Sequence, residues 1–166
     1  MDFLSMSYDE IIAYFRKKLP PFSDSRMDYS TSKECFVLNI WISYNNKLLL
    51  FKRSDKVAAF RGKRNCIGGY IDEEKTAEQK VAEEIYEELG ITTEGIASIH
   101  KGKIHIMVDP ETGRSRINYP VIVTLKQEPT ITLDRENTEY KWINPEEINS
   151  FDTLPELDKS YEYAQK

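Results

Sequence analysis

The chain has 166 residues, of which 40% are hydrophobic and 31% charged. This length and composition fit one globular domain and exclude a disordered protein, and no apolar run approaches the roughly 20 residues that a bilayer requires. The net charge is −5, but residues 72–88 contain eight acids and two bases, a net of −6, so the rest of the chain sums to +1. An acidic excess held in one segment excludes a general nucleic-acid binder.

The N-terminal part of the chain predicts one helix. Ser7 and Glu10 have the spacing of a capping box, apolar residues follow at helical spacing, and Pro20 and Pro21 end the pattern. Residues 22–33 are polar and are interpreted as a linker.

A β-hairpin is predicted next. Residues 35–43 and 47–52 are rich in strand-forming residues, and residues 44–46 contain two asparagines that suit a turn. A basic loop over residues 53–65 follows, and then a short apolar run over residues 66–71 that contains two adjacent glycines.

The acidic segment predicts a second helix with clear ends. Thr76 and Gln79 form a second capping-box pattern, and Gly90 stands where a helix C-terminus favours glycine. Two long strands are predicted over residues 96–108 and 115–125, with a turn over residues 109–113 between them. A short strand follows over residues 139–143, and helices are predicted to start at Asn144 and at Pro155. This order favours an α/β or α+β sandwich.

Two cysteines, Cys35 and Cys66, form neither a disulfide framework nor a zinc-binding pattern. Residues 1–7 lack the basic and apolar regions of a signal peptide. A reduced, cytoplasmic location is therefore expected.

Three carboxylates lie on one side of the acidic helix. Glu84, Glu87 and Glu88 are spaced at i, i+3 and i+4, beside an apolar stripe that should face the core. Like charges at this spacing repel, and only Lys80 offers local compensation. The helix alone is compatible with a solvated acidic face or with a site for a divalent cation, because Mg²⁺ prefers clustered carboxylate oxygens.

The segment Gly69–Ile91 resembles the 23-residue Nudix box, the signature of Nudix hydrolases. That pattern runs Gly, five residues, Glu, seven residues, Arg-Glu, an aliphatic residue, any residue, Glu-Glu, any residue, Gly and an aliphatic residue. Seven of the nine fixed positions match: Gly69, Glu84, Ile85, Glu87, Glu88, Gly90 and Ile91. The resemblance favours the cation site over the solvated face.

Two fixed positions depart from the pattern. Lys75 stands where the family has its first Glu, and Glu83 stands where it has Arg. Because both signs are reversed together, we hypothesise that Lys75 and Glu83 form a swapped ion pair that keeps the geometry. The alternative is that both positions are lost and the enzyme is weak or altered.

The resemblance extends over residues 33–151. A later segment, residues 136–142, resembles one in which an acid six residues before a Trp supplies another metal ligand, which indicates Glu136, with Glu139 as the second choice. We therefore expect a single domain with an N-terminal helical extension (1–30), a Nudix core (33–151) and a C-terminal helix (152–166). For the extension two roles are open: a cover over the site, or the interface of a homodimer.

The resemblance implies an α/β fold, the Nudix α/β/α sandwich with a mixed β-sheet between helices. It implies a pyrophosphatase that hydrolyses a diphosphate linkage in a small nucleoside diphosphate derivative, with Mg²⁺ as cofactor and Mn²⁺ able to substitute. Glu87 and Glu88 are the implied first metal ligands, Glu84 is a ligand or the base that activates water, and the Gly68 carbonyl and Glu136 are further ligands. Neither nucleic acid nor a membrane is an expected partner.

The basic loop lies directly before the acidic segment. Residues 52–64 contain six bases and one acid, a net of +5, which is either a solvated loop or a clamp for a polyphosphate. Arg53 and Arg61 are the expected phosphate contacts.

Two alternatives to a hydrolase remain. The departures at Lys75 and Glu83 are compatible with a degenerate Nudix-fold module that binds a nucleotide with little or no hydrolysis. A Nudix-fold isomerase acting on isopentenyl diphosphate is less favoured, because that branch resembles a Cys immediately before the box Gly, where this chain has Gly68.

Overall fold

Two eleven-residue segments rich in apolar and β-branched residues form the central strands of one sheet. The computed structural model describes residues 1–166. The strands are β1 (Glu34–Tyr44), β2 (Lys47–Arg53), β3 (Arg64–Asn65), β4 (Ile67–Tyr70), β5 (Ile96–Lys101), β6 (His105–Val108), β7 (Ser115–Leu125) and β8 (Asn137–Ile143). The α-helices are α1 (Tyr8–Lys18), α2 (Ala77–Leu89) and α3 (Leu157–Ala164), and short 3₁₀ helices cover Phe3–Ser5, Thr93–Gly95 and Pro145–Ser150.

The sheet is mixed. Its main order is β3-β2-β1-β7-β5, while β4 pairs with β1, β6 with β7 and β8 with β2. Only β1 and β7 run parallel, and every other pairing is antiparallel. The predicted hairpin is confirmed: Tyr44 faces Lys47, and Asn45 and Asn46 have φ angles of 50° and 60°, which a two-residue hairpin turn requires.

Helices cover both faces of this sheet. The larger core lies on the face of α1 and α2, and a smaller core around Trp41 lies on the face of α3 and the 3₁₀ helix Pro145–Ser150. The predicted α/β/α sandwich with a mixed sheet is therefore confirmed. None of the helices combines the length and apolar character needed to cross a membrane.

The long strand predicted over residues 96–108 is wrong in one respect, because the structure divides it into β5 and β6. Gly102 lies between them, and a Cβ atom there would come within 2.3 Å of the Tyr163 carbonyl oxygen in α3. Packing against a distant helix therefore interrupts the strand. The predicted helix start at Asn144 gives a 3₁₀ helix, whose capping box joins Asn144 and Glu147.

The N-terminal extension is part of the main core. The capping box of α1 forms as predicted, and the interpretation of residues 22–33 as a plain linker is corrected, because Met27 and Tyr29 are buried. The Tyr29 hydroxyl donates to the Ile71 carbonyl over 2.7 Å, and the Met27 N–H donates to the Asp72 carbonyl over 2.8 Å. The extension therefore supports the segment that leads into α2.

Candidate active site

Capping residues determine where α2 begins and ends. Its predicted capping box forms, with the Thr76 hydroxyl accepting from the Gln79 N–H and the Gln79 side chain accepting from the Thr76 N–H. At the other end Gly90 has φ 71°, the left-handed conformation that glycine allows. Between these ends Val81, Ile85 and Leu89 are buried, and this turns the neighbouring Glu84 and Glu88 inwards while Glu87 stays exposed. Tyr86, which helical spacing also assigned to the apolar stripe, is 62% exposed, so the core-facing stripe is narrower than predicted.

An open pocket of about 470 Å³, called here the acidic pocket, lies between α2 and the end of β4. Only one of its twelve lining residues is hydrophobic. The lining consists of Gly68, Gly69 and Tyr70, the acids Asp72, Glu73, Glu83, Glu84, Glu87, Glu88 and Glu136, and the cations Arg26 and Lys80. Glu136 lies much later in the sequence, just before β8, so folding brings together acids that are distant in the chain.

The two glycines of β4 allow this approach. A Cβ atom on Gly69 would lie 2.6 Å from Glu84 Oε1, so the bare backbone is what lets this carboxylate lie against the strand. A Cβ atom on Gly68 would lie 1.8 Å from the carbonyl oxygen of Leu38 in β1, so that glycine is required for strand pairing.

The donors of the acidic pocket match the chemistry of a hard divalent cation. Burial, followed by a hydrogen bond shared with Glu136, raises the pKa of Glu88 to about 10. Two neighbouring carboxylates repel each other when both are charged, and a divalent cation between them removes that repulsion. No three acidic, imidazole or thiol side chains are arranged as a compact ligand set, so the carboxylates must rotate to close around an ion.

Two lysines compensate part of the acidic charge. Lys75 Nζ lies 3.1 Å and 3.0 Å from the two carboxylate oxygens of Glu83, so the hypothesised swapped pair forms. Lys80 Nζ lies 3.2 Å from Glu84 Oε1. Burial alone lowers the pKa of Lys80, but Glu84 and Asp72 outweigh it and hold the pKa above its usual value. Burial raises the pKa of Glu84, and Lys80 opposes that shift.

A second cavity of about 480 Å³ adjoins the acidic pocket. The two share Gly68, Gly69, Tyr70, Glu88 and Glu136 as a common wall. Four cations line the second cavity: Arg53, Lys56, Arg116 and Arg135. We call it the basic cavity.

The rest of the basic cavity offers stacking and hydrogen-bonding groups. The Arg116 guanidinium lies over the ring of Phe60, 5.4 Å from its centroid, and Asn118 and His105 are buried polar groups in the lining. Arg53 Nε donates to the Ala59 carbonyl over 3.0 Å, and burial lowers the pKa of its guanidinium.

The structure brings together most of the residues that the sequence singled out. Gly68, Glu84, Glu87, Glu88 and Glu136 line the acidic pocket, and Arg53 lines the adjoining basic cavity.

Two candidates lie elsewhere. Arg61 Nε donates to the Val57 carbonyl, and Arg61 lines neither cavity. Glu139, the second choice after Glu136, pairs with Arg64 over 2.8 Å and with Lys52 over 3.4 Å, away from both cavities.

Several lining residues were missed from the sequence. Arg116 and Asn118 reach the basic cavity through the parallel pairing of β7 with β1, and Arg26 reaches the acidic pocket through the fold of the extension. None of these three carries a local motif. Asp72 belongs to the acidic excess that the charge count revealed, so a signal for it was present.

The fold is an α/β/α sandwich in which β4, a strand with two adjacent glycines, leads into α2, the helix that carries most of the acids of the pocket. The model of the NUDIX domain matches residues 37–164, more than three quarters of the chain, and the protein belongs to the Nudix family.

Solved structures show the same fold. The MutT protein from Methanosarcina mazei is 24% identical with a TM-score of 0.61, and the alignment covers 80% of this chain and 93% of that one. The MutT Nudix hydrolase from Burkholderia pseudomallei is 20% identical with a TM-score of 0.62, over 78% and 97% of the two chains. A Caenorhabditis elegans Ap4A hydrolase is 18% identical with a TM-score of 0.61, over 80% and 94%. The comparison with curated proteins finds no significant match.

Proposed function

We propose that the protein is a Mg²⁺-dependent Nudix pyrophosphohydrolase that cleaves a diphosphate linkage in a nucleoside triphosphate, a nucleotide sugar or a dinucleotide. The observation that carries this proposal is the wall shared by the acidic pocket and the basic cavity, formed by Gly68 to Tyr70 with Glu88 and Glu136. A ligand that spans this wall has its phosphates between a cation-binding set of carboxylates and a set of arginines.

Glu87, Glu88, Glu136 and the Gly68 carbonyl are the proposed ligands of the Mg²⁺ ion, which Mn²⁺ can replace. A bound divalent cation supplies neutralisation of phosphate charge and a lower pKa for an attacking water. Both residues line the acidic pocket, and the proximity of Glu136 adds to burial in raising the pKa of Glu88, which supports these two as neighbouring ligands. Exposed Glu87 can rotate towards them because no ion pair holds it.

Glu84 is the proposed base, or a further ligand. Its carboxylate packs against the bare backbone of Gly69 in β4, and Lys80 holds it through a contact at hydrogen-bond distance with Oε1. A carboxylate held in one orientation keeps its oxygens at fixed positions, where they can accept a proton from water. This favours a role in activating the nucleophile.

Arg53 and Arg116 are the proposed contacts for phosphates that extend into the basic cavity, because guanidinium groups donate paired hydrogen bonds to phosphate oxygens. The ring of Phe60 and the amide of Asn118 supply a stacking surface and a hydrogen-bonding group for the remaining moiety. Cys35 and Cys66 are both free and buried, which supports the proposed cytoplasmic location.

A substrate panel tests this proposal. Nucleoside triphosphates, nucleotide sugars and Ap4A, the substrate in the name of one structural neighbour, are incubated with Mg²⁺ and analysed for phosphate-containing products. We expect turnover of at least one class, and a loss on the order of 10² or more in Glu88→Gln and Glu87→Gln. The matched control is Glu94→Gln, an exposed acid outside both cavities, which should retain the activity.

Two outcomes contradict a hydrolase. Nucleotide binding without turnover of any panel member indicates the degenerate binding module. Absence of both binding and turnover overturns the hydrolase and the binding module together.

A further inference from the structure

Lys80 is surrounded by carboxylates. Its Nζ lies 3.2 Å from Glu84 Oε1, 3.5 Å from Asp72 Oδ1 and 3.9 Å from Glu83 Oε2, and the residue is only 7% exposed. Asp72 comes from the segment before α2, and the two glutamates come from the helix itself. Three acids from two elements therefore converge on one ammonium group.

These contacts act mainly through charge. Asp72 Oδ1 is buried and accepts no hydrogen bond, so this oxygen is compensated by the ionic contact with Lys80, while Arg26 pairs with Oδ2 over 3.4 Å. Without the ammonium, Arg26 would still pair with Asp72 Oδ2 and Lys75 with Glu83, but Glu84 and Asp72 Oδ1 would have no cation within ion-pair distance. An uncompensated buried carboxylate is costly. The position between Glu84 and Asp72 Oδ1 therefore depends on the positive charge of Lys80.

The other half of the acidic pocket has no such compensation. Glu87, Glu88 and Glu136 form no ion pair with any lysine or arginine within 4 Å, although they line the same pocket. On α2, the acids up to Glu84 are paired with lysines, and the acids from Glu87 onwards are not.

We propose that Lys80 is a built-in cation that takes the place of one divalent ion at Asp72, Glu83 and Glu84. It thereby restricts metal binding to Glu87, Glu88, Glu136 and the Gly68 carbonyl, and leaves Glu84 the role of base. This inference rests on the proposed function for the presence of a metal in the pocket. It assigns to Lys80 a positioning role, because the ammonium holds Glu84 and occupies the half of the pocket where a second ion would otherwise lie.

Mn²⁺ binding tests this assignment without reference to any substrate. The metal alone is titrated into the full chain, and free Mn²⁺ is counted by electron paramagnetic resonance. We expect Lys80→Met to bind about one more Mn²⁺ per chain than the wild type, because the vacated carboxylates then accept an ion. Lys80→Arg keeps the charge and should keep the wild-type stoichiometry.

Lys101→Met is the matched control. It removes one positive charge from an exposed pair with Glu78 on the same helix, outside the acidic pocket, and should leave the Mn²⁺ stoichiometry unchanged. If Lys80→Met folds poorly without metal, Mn²⁺ should raise its unfolding temperature by more than it raises that of the wild type, since the ion replaces the lost charge.

Equal stoichiometry in Lys80→Met and wild type, together with equal stabilisation by Mn²⁺, overturns the assignment. That result leaves the proposed hydrolase standing if the wild type binds Mn²⁺ and turns over a substrate. Conversely, a wild type that neither binds Mn²⁺ nor hydrolyses, beside a Lys80→Met variant that does bind Mn²⁺, supports the built-in cation and contradicts the proposed hydrolase.

Discussion

Lys75 Nζ bridges both carboxylate oxygens of Glu83, at 3.1 Å and 3.0 Å, across the N-terminal turn of α2. The two positions carry the reverse of the charges in the Nudix pattern. The pair is not isolated, because Lys75 Nζ also lies 2.6 Å from Glu73 Oε2, and Glu83 Oε2 lies 3.9 Å from Lys80. Reversed charges in these two positions therefore belong to a network of four residues.

A double-mutant cycle tests whether the pair supports catalysis. We expect Lys75→Glu and Glu83→Arg each to lower kcat/KM, on the order of tenfold, because each leaves two like charges together. The double variant should recover part of that loss. Full recovery is not expected, since the new Glu faces Glu73 and the new Arg faces Lys80. Losses that simply add in the double variant contradict a functional pair.

Gly69 and Gly68 should respond differently to a methyl group. In Gly69→Ala the new Cβ displaces Glu84 Oε1, a flexible side-chain atom, so we expect a folded protein whose kcat falls on the order of 10²-fold. In Gly68→Ala the new Cβ meets the Leu38 carbonyl of β1, so we expect loss of folding. Circular dichroism and the hydrolysis assay together separate these results.

The control for both variants is Gly95→Ala. Its Cβ would meet only Ile91 Cγ2 at 3.6 Å, an ordinary contact, so both fold and activity should be retained. If Gly69→Ala is as active as the control, the tight packing of Glu84 on β4 has no part in catalysis.

Local signals explain which elements could be predicted from the sequence. The capping boxes at Ser7 and Thr76 and the stop at Gly90 define α1 and α2 within a residue or two, because each signal acts on its own helix end. The Nudix box is equally local, because it lies almost entirely in one helix and the segment before it, and the structure places its Glu84 and Glu88 in the acidic pocket.

Features that depend on distant packing could not be predicted. The break at Gly102 follows from its contact with Tyr163 in α3, some 60 residues later. Arg116 and Asn118 carry no motif, and only the parallel pairing of β7 with β1 brings them to the basic cavity. Residues 22–33 look polar as a segment, yet Met27 and Tyr29 alone are enough to anchor it.

The N-terminal extension should be required for stability. Phe15 is fully buried in the main core and packs against Phe3 and Tyr29. We expect Phe15→Ala to lower the free energy of unfolding by about 3–5 kcal/mol, from lost burial and the cavity left behind. Leu4→Ala, in the same extension but 61% exposed, should change it by less than about 0.5 kcal/mol. Urea unfolding followed by circular dichroism measures both.

The two candidate phosphate contacts can be separated by kinetics. Arg53 lines the basic cavity, whereas Arg61 lies outside its lining, so Arg53→Ala should raise KM on the order of tenfold and Arg61→Ala much less. Arg53→Lys should restore only part of the affinity, because an ammonium cannot donate the paired hydrogen bonds of a guanidinium. A larger effect at Arg61 than at Arg53 contradicts the placement of the phosphates in the basic cavity.

His105 should make stability depend on pH. It is 6% exposed, its Nδ1 has no hydrogen-bond partner, and burial lowers its pKa from 6.5 to about 4. Between these two pKa values the unfolded chain binds a proton at this residue that the folded chain does not bind. The stability of the fold is therefore unaffected by the titration of His105 above pH 6.5 and decreases as the pH falls towards 4. At pH 5 the loss is about 2 kcal/mol relative to pH 7.5.

A neutral replacement isolates this effect from the titration of the carboxylates. The loss of unfolding free energy between pH 7.5 and pH 5 should be smaller in His105→Phe than in the wild type by about 2 kcal/mol. His100→Gln, at an exposed histidine on β5, should show the wild-type loss. Because Glu88 has a raised pKa, its titration stabilises the fold as the pH falls, so only the difference between the variants reports on His105. Identical losses in wild type and His105→Phe show that His105 is already solvated in the folded protein.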